Sequence, residues 1–376
     1  MEILPESERL ARLRLFRSET VGPVTFYKLL VRFGSAQKAL EAIPLMAQRS
    51  GRKSLPRIMT VHEASNELKM LDNYGGRMIV YGDPDYPDWL STIDDAPPVL
   101  SIMGNADYLS ASSVAIVGAR NASANGKRFT RKLAESLGGS GQVIVSGLAR
   151  GIDTAAHEAS IETGTVAVLA GGIDRIYPME NTDLYKQICE KGCVVSEMPF
   201  GVAPTAHHFP RRNRIVSGLS KGVVVVEASV RSGSLITARL AAEQGREVFA
   251  VPGFPGDPRA EGPNMLIQNG AKLVRNADDI LEELASMHDK KIQPQTHLFD
   301  SIAEDYTAFD FSENENAAPV EGHDIILQNL GQTPTEVDEL CRSCQISIKD
   351  IQAVLLELEI TGEILRHPGN KVSIAA

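Results

Sequence analysis

A chain of 376 residues is longer than one ordinary hydrophobic core fills, so two or three domains are expected. With 43% hydrophobic and 23% charged residues it has the composition of a globular protein, not of a disordered or fibrous one. A net charge of −10 excludes coating of nucleic acid over the whole surface and leaves room for a local basic site, and no apolar run reaches the length of a membrane span.

The N-terminus (Glu2, Glu6, Glu8, Arg9) has neither the basic start nor the apolar centre of a signal peptide, so the expected compartment is the cytoplasm, with no membrane insertion. Up to about residue 70 the chain reads as short helices: ERLARLRLF, then VTFYKLLVRF after Gly22-Pro23, then AQKALEAI after Gly34-Ser35. Pairing across glycine turns fits a SAM-like or helix-hairpin-helix-like domain over 1–70; such a unit either holds phosphates at helix N-termini or serves packing alone. MIVYG and VLSIMG, separated by proline-rich chain, are expected to add strands to the sheet formed by the segments after them. SVAIVG (113–118), QVIVSG (142–147), TVAVLAGG (165–172), CVVSE (193–197), GVVVVEA (222–228) and EVFAVPG (247–253) are apolar throughout, as strands covered on both faces are. Helical segments separate them, among them NGKRFTRKLAESL, IDTAAHEASIET, NTDLYKQICE and SLITARLAAEQ. The alternation predicts an α/β class with a doubly wound, mostly parallel sheet over 71–287. Residues 288–320 are acidic and aperiodic and read as a linker. From 321 to 376, a helix through DIILQNL, a second opening at Thr335, a third through SIKDIQAVLLELEITG and a hairpin EILRHPGNKVSI resemble a winged-helix domain.

Cys189 and Cys193 stand far from Cys341 and Cys344. A zinc site from the two pairs is chemically possible, but all four lie in helix- or strand-like segments without a turn-rich knuckle, so buried reduced thiols and no metal are expected.

In an open α/β sheet, ligands bind outside the carboxyl ends of the strands, where glycine lets backbone N–H groups approach an anion. Gly118, Gly147, Gly171, Gly172 and Gly253 follow strands here, and Ser232-Gly233-Ser234 opens a helix after the fifth. Cations occur in the same places. Arg120, Lys127, Arg128, Arg131, Lys132 and Arg150 face Glu135 alone between 118 and 150, and Arg211, Arg212, Arg214 and Lys221 form a second group. Each piece alone also reads as a tight turn or a solvated surface group; their coincidence points to one rim. The dinucleotide fingerprint fails because Arg120 stands where a second glycine is required, and a Walker loop fails because Arg128 follows Gly126-Lys127. No cofactor is expected. A rim of arginine, serine and amide groups suits a chain of phosphates.

Seven motifs in order, Gly118-Ala-Arg120-x-x-Ser123-x-x-Gly126, SGLARGID, Gly171-Gly172-Ile-Asp174-x-x-Tyr177-Pro178, SEMPFG, FPRRNRIVSGLS, EASVRSGSLITA and VPG, resemble the DNA-processing protein A family (DprA, also called Smf). The likeness runs from about 76 to 285. It implies an α/β, extended Rossmann-like domain that forms a homodimer, binds and protects single-stranded DNA during natural transformation and recombination, and helps load the RecA recombinase, with no known catalysis. Carried onto this chain, it puts the family's phosphate-binding arginine at Arg120 and its FPxRNRIxSGLS loop at Phe209 to Ser220; together with the rim read above, the expected nucleic-acid-binding residues are Arg120, Ser123, Gly147, Arg150, Gly151, Phe209, Arg212, Asn213, Arg214, Lys221, Ser232, Gly233 and Ser234. Ala119 stands where the family often has serine, which removes one hydroxyl donor and leaves the arginine.

Arg120 is expected to hold a phosphate bidentately, against the alternative of a salt bridge to a neighbouring acid. Arg212 and Arg214 divide labour, one to DNA and one to the core, in an order the sequence leaves open. Phe209 is either a stacking platform or core, His157 a structural histidine, and Asp153 with Thr154 a helix cap. The third winged-helix segment carries Asp350, Glu357 and Glu359 against Lys349, so a protein contact is expected of it rather than a major groove; Arg366, His367 and Lys371 are left open for backbone contact. The competing reading is a Rossmann-like nucleotide-phosphate N-glycosidase (hydrolase) with Glu227 as its carboxylate, although the Pro-Gly-Gly-x-Gly-Thr-x-x-Glu loop of such enzymes is absent.

Overall fold

Continuous runs such as SVAIV and GVVV have no polar face to give to water, so they settle where helices cover both sides of a sheet. The computed structural model describes residues 4–49, 56–286, 322–344, 346–367 and 369–375; the expected linker over 288–320 lies outside them. Along the chain, α1 (Glu6–Arg17), α2 (Pro23–Phe33), α3 (Ala36–Arg49) and α4 (Val61–Asn73) precede β1 (Arg77–Val80), α5 (Asp88–Ser91), β2 (Val99–Gly104) and α6 (Asp107–Ser110). The alternation then runs β3 (Ser113–Val117), α7 (Ala124–Gly139), β4 (Val143–Ser146), α8 (Ile152–Ser160), β5 (Thr165–Leu169), α9 (Thr182–Lys191) and β6 (Cys193–Ser196). It continues with α10 (His208–Leu219), β7 (Gly222–Val225), α11 (Gly233–Glu243), β8 (Glu247–Ala250), α12 (Glu261–Gln268), β9 (Lys272–Leu273) and α13 (Ala277–Ser286). After these come α14 (Gly322–Asn329), β10 (Thr335–Glu336), α15 (Val337–Cys344), α16 (Ile348–Ile360), β11 (Ile364–His367) and β12 (Lys371–Ile374).

The described residues from Ser65 to Ser286 form one compact unit around a nine-stranded sheet of order β1-β2-β6-β5-β4-β3-β7-β8-β9. Neighbours from β6 to β9 are parallel, while β2 runs antiparallel to β1 and to β6. This is the expected doubly wound sheet. From β3 the chain steps outward through β4, β5 and β6 on one side and then through β7, β8 and β9 on the other, so the order reverses at β3 and opens a crevice at the carboxyl ends of β3 and β7. Val114, Ile116, Ile144 and Val224 of the strands pack with Leu133, Leu137, Ile152 and Ile280 of α7, α8 and α13 in a fully buried core, which fixes the loops above it.

Leu4–Ala64 and the described residues from 322 onward form the second unit. Its three-stranded sheet, β10-β12-β11, and α14 to α16 enclose Ile326, Leu340, Ile351, Leu355 and Val372. Thr335 and Glu336, expected to open a helix, instead pair with β12 as a short strand, and the helix begins after them. The acidic third helix makes its contact within the chain: Glu359 accepts from Thr25 Oγ1 at 2.7 Å, Glu357 pairs with Arg32 at 3.4 Å, and the Ile360 carbonyl accepts from Thr20 Oγ1 at 2.6 Å. The wing side chains are engaged too, Arg366 with Glu359 at 3.3 Å, Lys371 with Glu336 at 3.4 Å, and His367 Nε2 with Ser373 Oγ at 2.8 Å.

All four cysteines are free thiols, but only Cys193 is buried; the other three are half-buried. No cluster of metal-binding side chains occurs among the described residues.

Candidate nucleic-acid interface

A cavity of about 400 Å3 opens at the switch point, walled by the loop after β3 (Gly118 to Asn121), the loop after β4 (Gly147, Ala149, Asp153), the loop into α11 (Ser229, Ser232, Gly233, Ser234) and one stripe of α10. That stripe is Phe209, Arg212, Asn213 and Val216, residues three and four apart that a helix presents on one face. Ser232 caps α11, its Oγ accepting from the Ser234 N–H at 3.4 Å and lying 2.7 Å from Ser234 Oγ. A Cβ at Gly233 would meet nothing within 4 Å, so the first turn of α11 offers its amides on an open side.

Arg212 is buried and partly committed. Its Nη1 donates to the carbonyls of Gly147 and of Val168 (2.6 Å), tying the ends of β4 and β5, and its Nε donates to Asn213 Oδ1 at 3.2 Å. Among the described residues Nη2 makes no hydrogen bond and is left to the cavity. A Cβ at Gly147 would fall 2.1 Å from Nη1 and displace the guanidinium. Burial pushes the guanidinium down to about 10, with Asp153 opposing and Arg120 adding to the shift. Asp153 accepts from the N–H groups of Gly147 (3.2 Å) and Ala149 (3.3 Å), and burial pushes its carboxyl up to about 6 against the pull of Arg212. This corrects the expected cap: the N-cap of α8 is Gly151, and Asp153 organises the loop before the helix while Thr154 Oγ1 donates to the Ala149 carbonyl at 2.8 Å.

Arg120 is exposed, and among the described residues it has no carboxylate partner. Its guanidinium carbon stands 5.2 Å from the centroid of Phe209, and that of Arg212 stands 6.0 Å from the same ring. Such contacts contribute about 0.5–2 kcal/mol and orient the cation without neutralising it. Phe209 is therefore a half-buried support for two arginines.

Other expected residues lie elsewhere. Arg214 is buried away from the cavity, its guanidinium bonded to Glu197 and paired with Asp95 at 3.3 Å. Burial alone would lower its pKa, but the two carboxylates outweigh burial and hold it above the ordinary value. Helical geometry gives the reason: residues two apart differ by about 200° around the axis, so Arg212 and Arg214 face opposite ways. Lys221 precedes β7, and its N–H donates to the Ser113 carbonyl at 2.9 Å, which puts it at the amino end of the strands, about 13 Å from the rim. Ser123 is the N-cap of α7 and donates to Glu227 Oε1 at 2.5 Å, with its N–H on Oε2 at 2.8 Å. Neither Ser123 nor Glu227 lines the cavity. Arg150 is exposed and paired with Glu180 at 2.5 Å. Gly151, at φ +81°, lets the loop after β4 approach the carbonyls of Ala119 and Arg120. The structure thus gathers Arg120, Gly147, Phe209, Arg212, Asn213, Ser232, Gly233 and Ser234 at one cavity, and Arg150, Gly151, Ser123, Arg214 and Lys221 outside its wall.

The cavity also contains Thr237, from the same helix start as Ser232 to Ser234, and Asn121, Ser229 and Arg259, which sequence reasoning missed. Arg259 is held by Asp257 through Nε and Nη2, each at 3.0 Å. A cation in the loop after β8 repeats the pattern at β3 and β4, and that was the available signal.

A doubly wound sheet with an arginine-bearing cavity at its switch point defines a protein with a Rossmann-like domain. The family model described as DNA recombination-mediator protein A matches residues 77–285, flanked by matches to a DprA-like N-terminal HHH domain over 6–69 and a DprA winged helix domain over 312–370. The chain belongs to the DNA recombination-mediator protein A family. It is 41% identical to Protein Smf of Escherichia coli K12 over 77% of this chain and 75% of that one. The X-ray structure of DNA processing protein A from Streptococcus pneumoniae is similar at a TM-score of 0.62 and 36% identity, covering 75% of this chain and 99% of that one. A DNA processing protein A structure from Helicobacter pylori, described for its single-stranded DNA binding mode, is similar at a TM-score of 0.52 and 30% identity, over 56% and 96% of the two chains. No helix among the described residues is long and apolar enough to cross a membrane.

Proposed function

We propose that the cavity at the switch point holds the phosphate backbone of single-stranded DNA, and that the protein protects the strand and presents it to the RecA recombinase without bond chemistry of its own. The observation that carries this reading is Arg120, an exposed guanidinium with no carboxylate partner among the described residues, oriented by Phe209 at the mouth. Arg120, Asn121 and Gly233 are all exposed or half-exposed, so the mouth is continuous with solvent and a polymer can pass over it. Arg212 Nη2 and the first turn of α11 supply further donors. Arg150, set beside the loop after β3 by Gly151, exchanges Glu180 for a phosphate.

Action in the cytoplasm, a homodimer through the Rossmann-like domain and RecA as partner rest on membership of the family. So does the division into a helical domain over 1–70, a binding domain over 71–287 and a winged-helix domain over 321–376. The glycosidase reading has lost support, because both Glu227 oxygens are engaged at the start of α7 and the side chain is outside the cavity wall. Anisotropy titrations of labelled single- and double-stranded oligonucleotides at two salt concentrations test the proposal. Preference for the single strand, lost at higher salt, supports it; equal binding of the duplex refutes it.

A further inference from the structure

Tyr177 belongs to the loop after β5, within a motif that the cavity does not use. Its ring meets Phe209 edge to face, with centroids 5.7 Å apart and planes at 61°. The two rings differ in what covers them. Phe209 is half-buried under the guanidinium groups of Arg120 and Arg212. Tyr177 is 49% exposed, no cation lies over it among the described residues, and Met179, two positions on, is 73% exposed.

An apolar ring held in water is unfavourable unless the chain around it is fixed for another reason. Here the loop is anchored at both ends. The Gly172 N–H donates to the Val202 carbonyl at 2.8 Å, and Asp174 Oδ1 accepts from the Gly201 N–H at 2.7 Å. Asn181 Nδ2 donates to the Leu148 carbonyl at 2.9 Å and to Thr154 Oγ1 at 3.0 Å. The tyrosine is thus displayed rigidly, one ring away from the arginine proposed to take a phosphate.

We infer that Tyr177 is a base-stacking platform: a base of the strand whose phosphate sits at Arg120 lies on the open face of Tyr177, with Met179 flanking it. This rests on the reading of the cavity as a single-stranded DNA site. Every base has a π face, so the platform is tolerant of sequence. Backbone contact at Arg120 and stacking at Tyr177 are separable, because stacking neutralises no phosphate.

The test uses the full chain with Tyr177→Ala, Tyr177→Phe, Tyr177→Trp and Arg120→Ala, each checked by thermal melting, and a labelled oligothymidylate titrated across a salt series. Tyr177→Ala is expected to weaken binding about tenfold with an unchanged slope of log K on log[salt], while Tyr177→Phe and Tyr177→Trp retain wild-type affinity. In Tyr177→Trp the added indole is expected to be quenched by oligothymidylate and not by the same backbone carrying abasic residues. If Tyr177→Ala binds like wild type, the exposed ring serves a protein contact and the inference is overturned. A flattened slope in Tyr177→Ala, or failure of Tyr177→Phe to restore affinity, overturns it as well. Wild type that does not bind the oligonucleotide removes both this inference and the function beneath it, whereas a flattened slope in Arg120→Ala alongside an unaffected Tyr177→Ala removes this inference alone.

Discussion

Arg212 and Arg214 stand two positions apart on α10 and serve opposite ends of their surroundings: Arg212 bonds the carbonyls of Gly147 and Val168 beneath the cavity, and Arg214 is sealed against Glu197. One basic motif therefore supplies both a cavity-lining cation and a core ion pair.

Removing Arg214 would leave the Glu197 carboxylate, itself 4% exposed, buried without this cation. Arg214→Ala is expected to lower unfolding free energy by about 3–5 kcal/mol. Arg120→Ala, at an exposed position, is expected to change stability by less than about 0.5 kcal/mol. Chemical denaturation of the two variants checks the contrast, and equal losses would show that Arg214 is not the structural member of the pair.

Gly147→Ala places a methyl where Arg212 Nη1 now lies. The guanidinium must leave its carbonyls, so the variant is expected to lose about 1–3 kcal/mol of stability and to bind oligonucleotide more weakly. Gly233→Ala, where a Cβ meets nothing, is the control and is expected to keep wild-type stability.

Asp153 gives the site a pH dependence of defined sign. Its carboxyl titrates near 6 in the free protein, at about 6 because burial raises it, and a phosphate bound beside it raises it further. Binding therefore takes up protons: affinity is lowest at high pH, rises as pH falls toward about 6, and levels off below that value. His208 at the start of α10, its pKa lowered by burial, also gains charge at low pH, so the measurement is the difference between wild type and Asp153→Asn. The variant keeps an acceptor for the Gly147 and Ala149 N–H groups and is expected to bind more tightly at about pH 8 with a shallower pH profile. An identical profile in both proteins would place Asp153 outside the binding equilibrium.

Glu227→Gln separates the two functional readings. The carboxylate bonds the Ser123 N–H and hydroxyl at the N-terminus of α7, so its neutralisation is expected to cost about 1–2 kcal/mol of stability and to leave oligonucleotide affinity unchanged. Release of free base from nucleoside monophosphates by wild type, lost in Glu227→Gln, would restore the hydrolase reading.

The middle strands were legible because both their faces are covered, which removes every polar position from the run. Helix α10 was not, because its cavity face carries Arg212 and Asn213 and its other side carries buried Arg214, so no apolar stripe marks the period. In the sequence Lys221 reads as part of the rim because it directly follows the basic motif, yet the strand that starts beside it runs toward the rim and leaves it at the far end. Asp153 reads as a cap because an acid in the first turn of a helix usually is one; only the folded loop shows its oxygen bonded to the Gly147 and Ala149 N–H groups. Strand β9 has two residues, too few for any pattern to show.

The most direct test of the account is the salt dependence of oligothymidylate binding by wild type and Arg120→Ala. Each phosphate neutralised on a single strand contributes about −0.7 to the slope of log K on log[salt], so removal of Arg120 is expected to weaken binding and to make the slope shallower by about that amount for each phosphate it holds. An Arg120→Ala protein with reduced affinity and the wild-type slope would contradict a phosphate at this arginine.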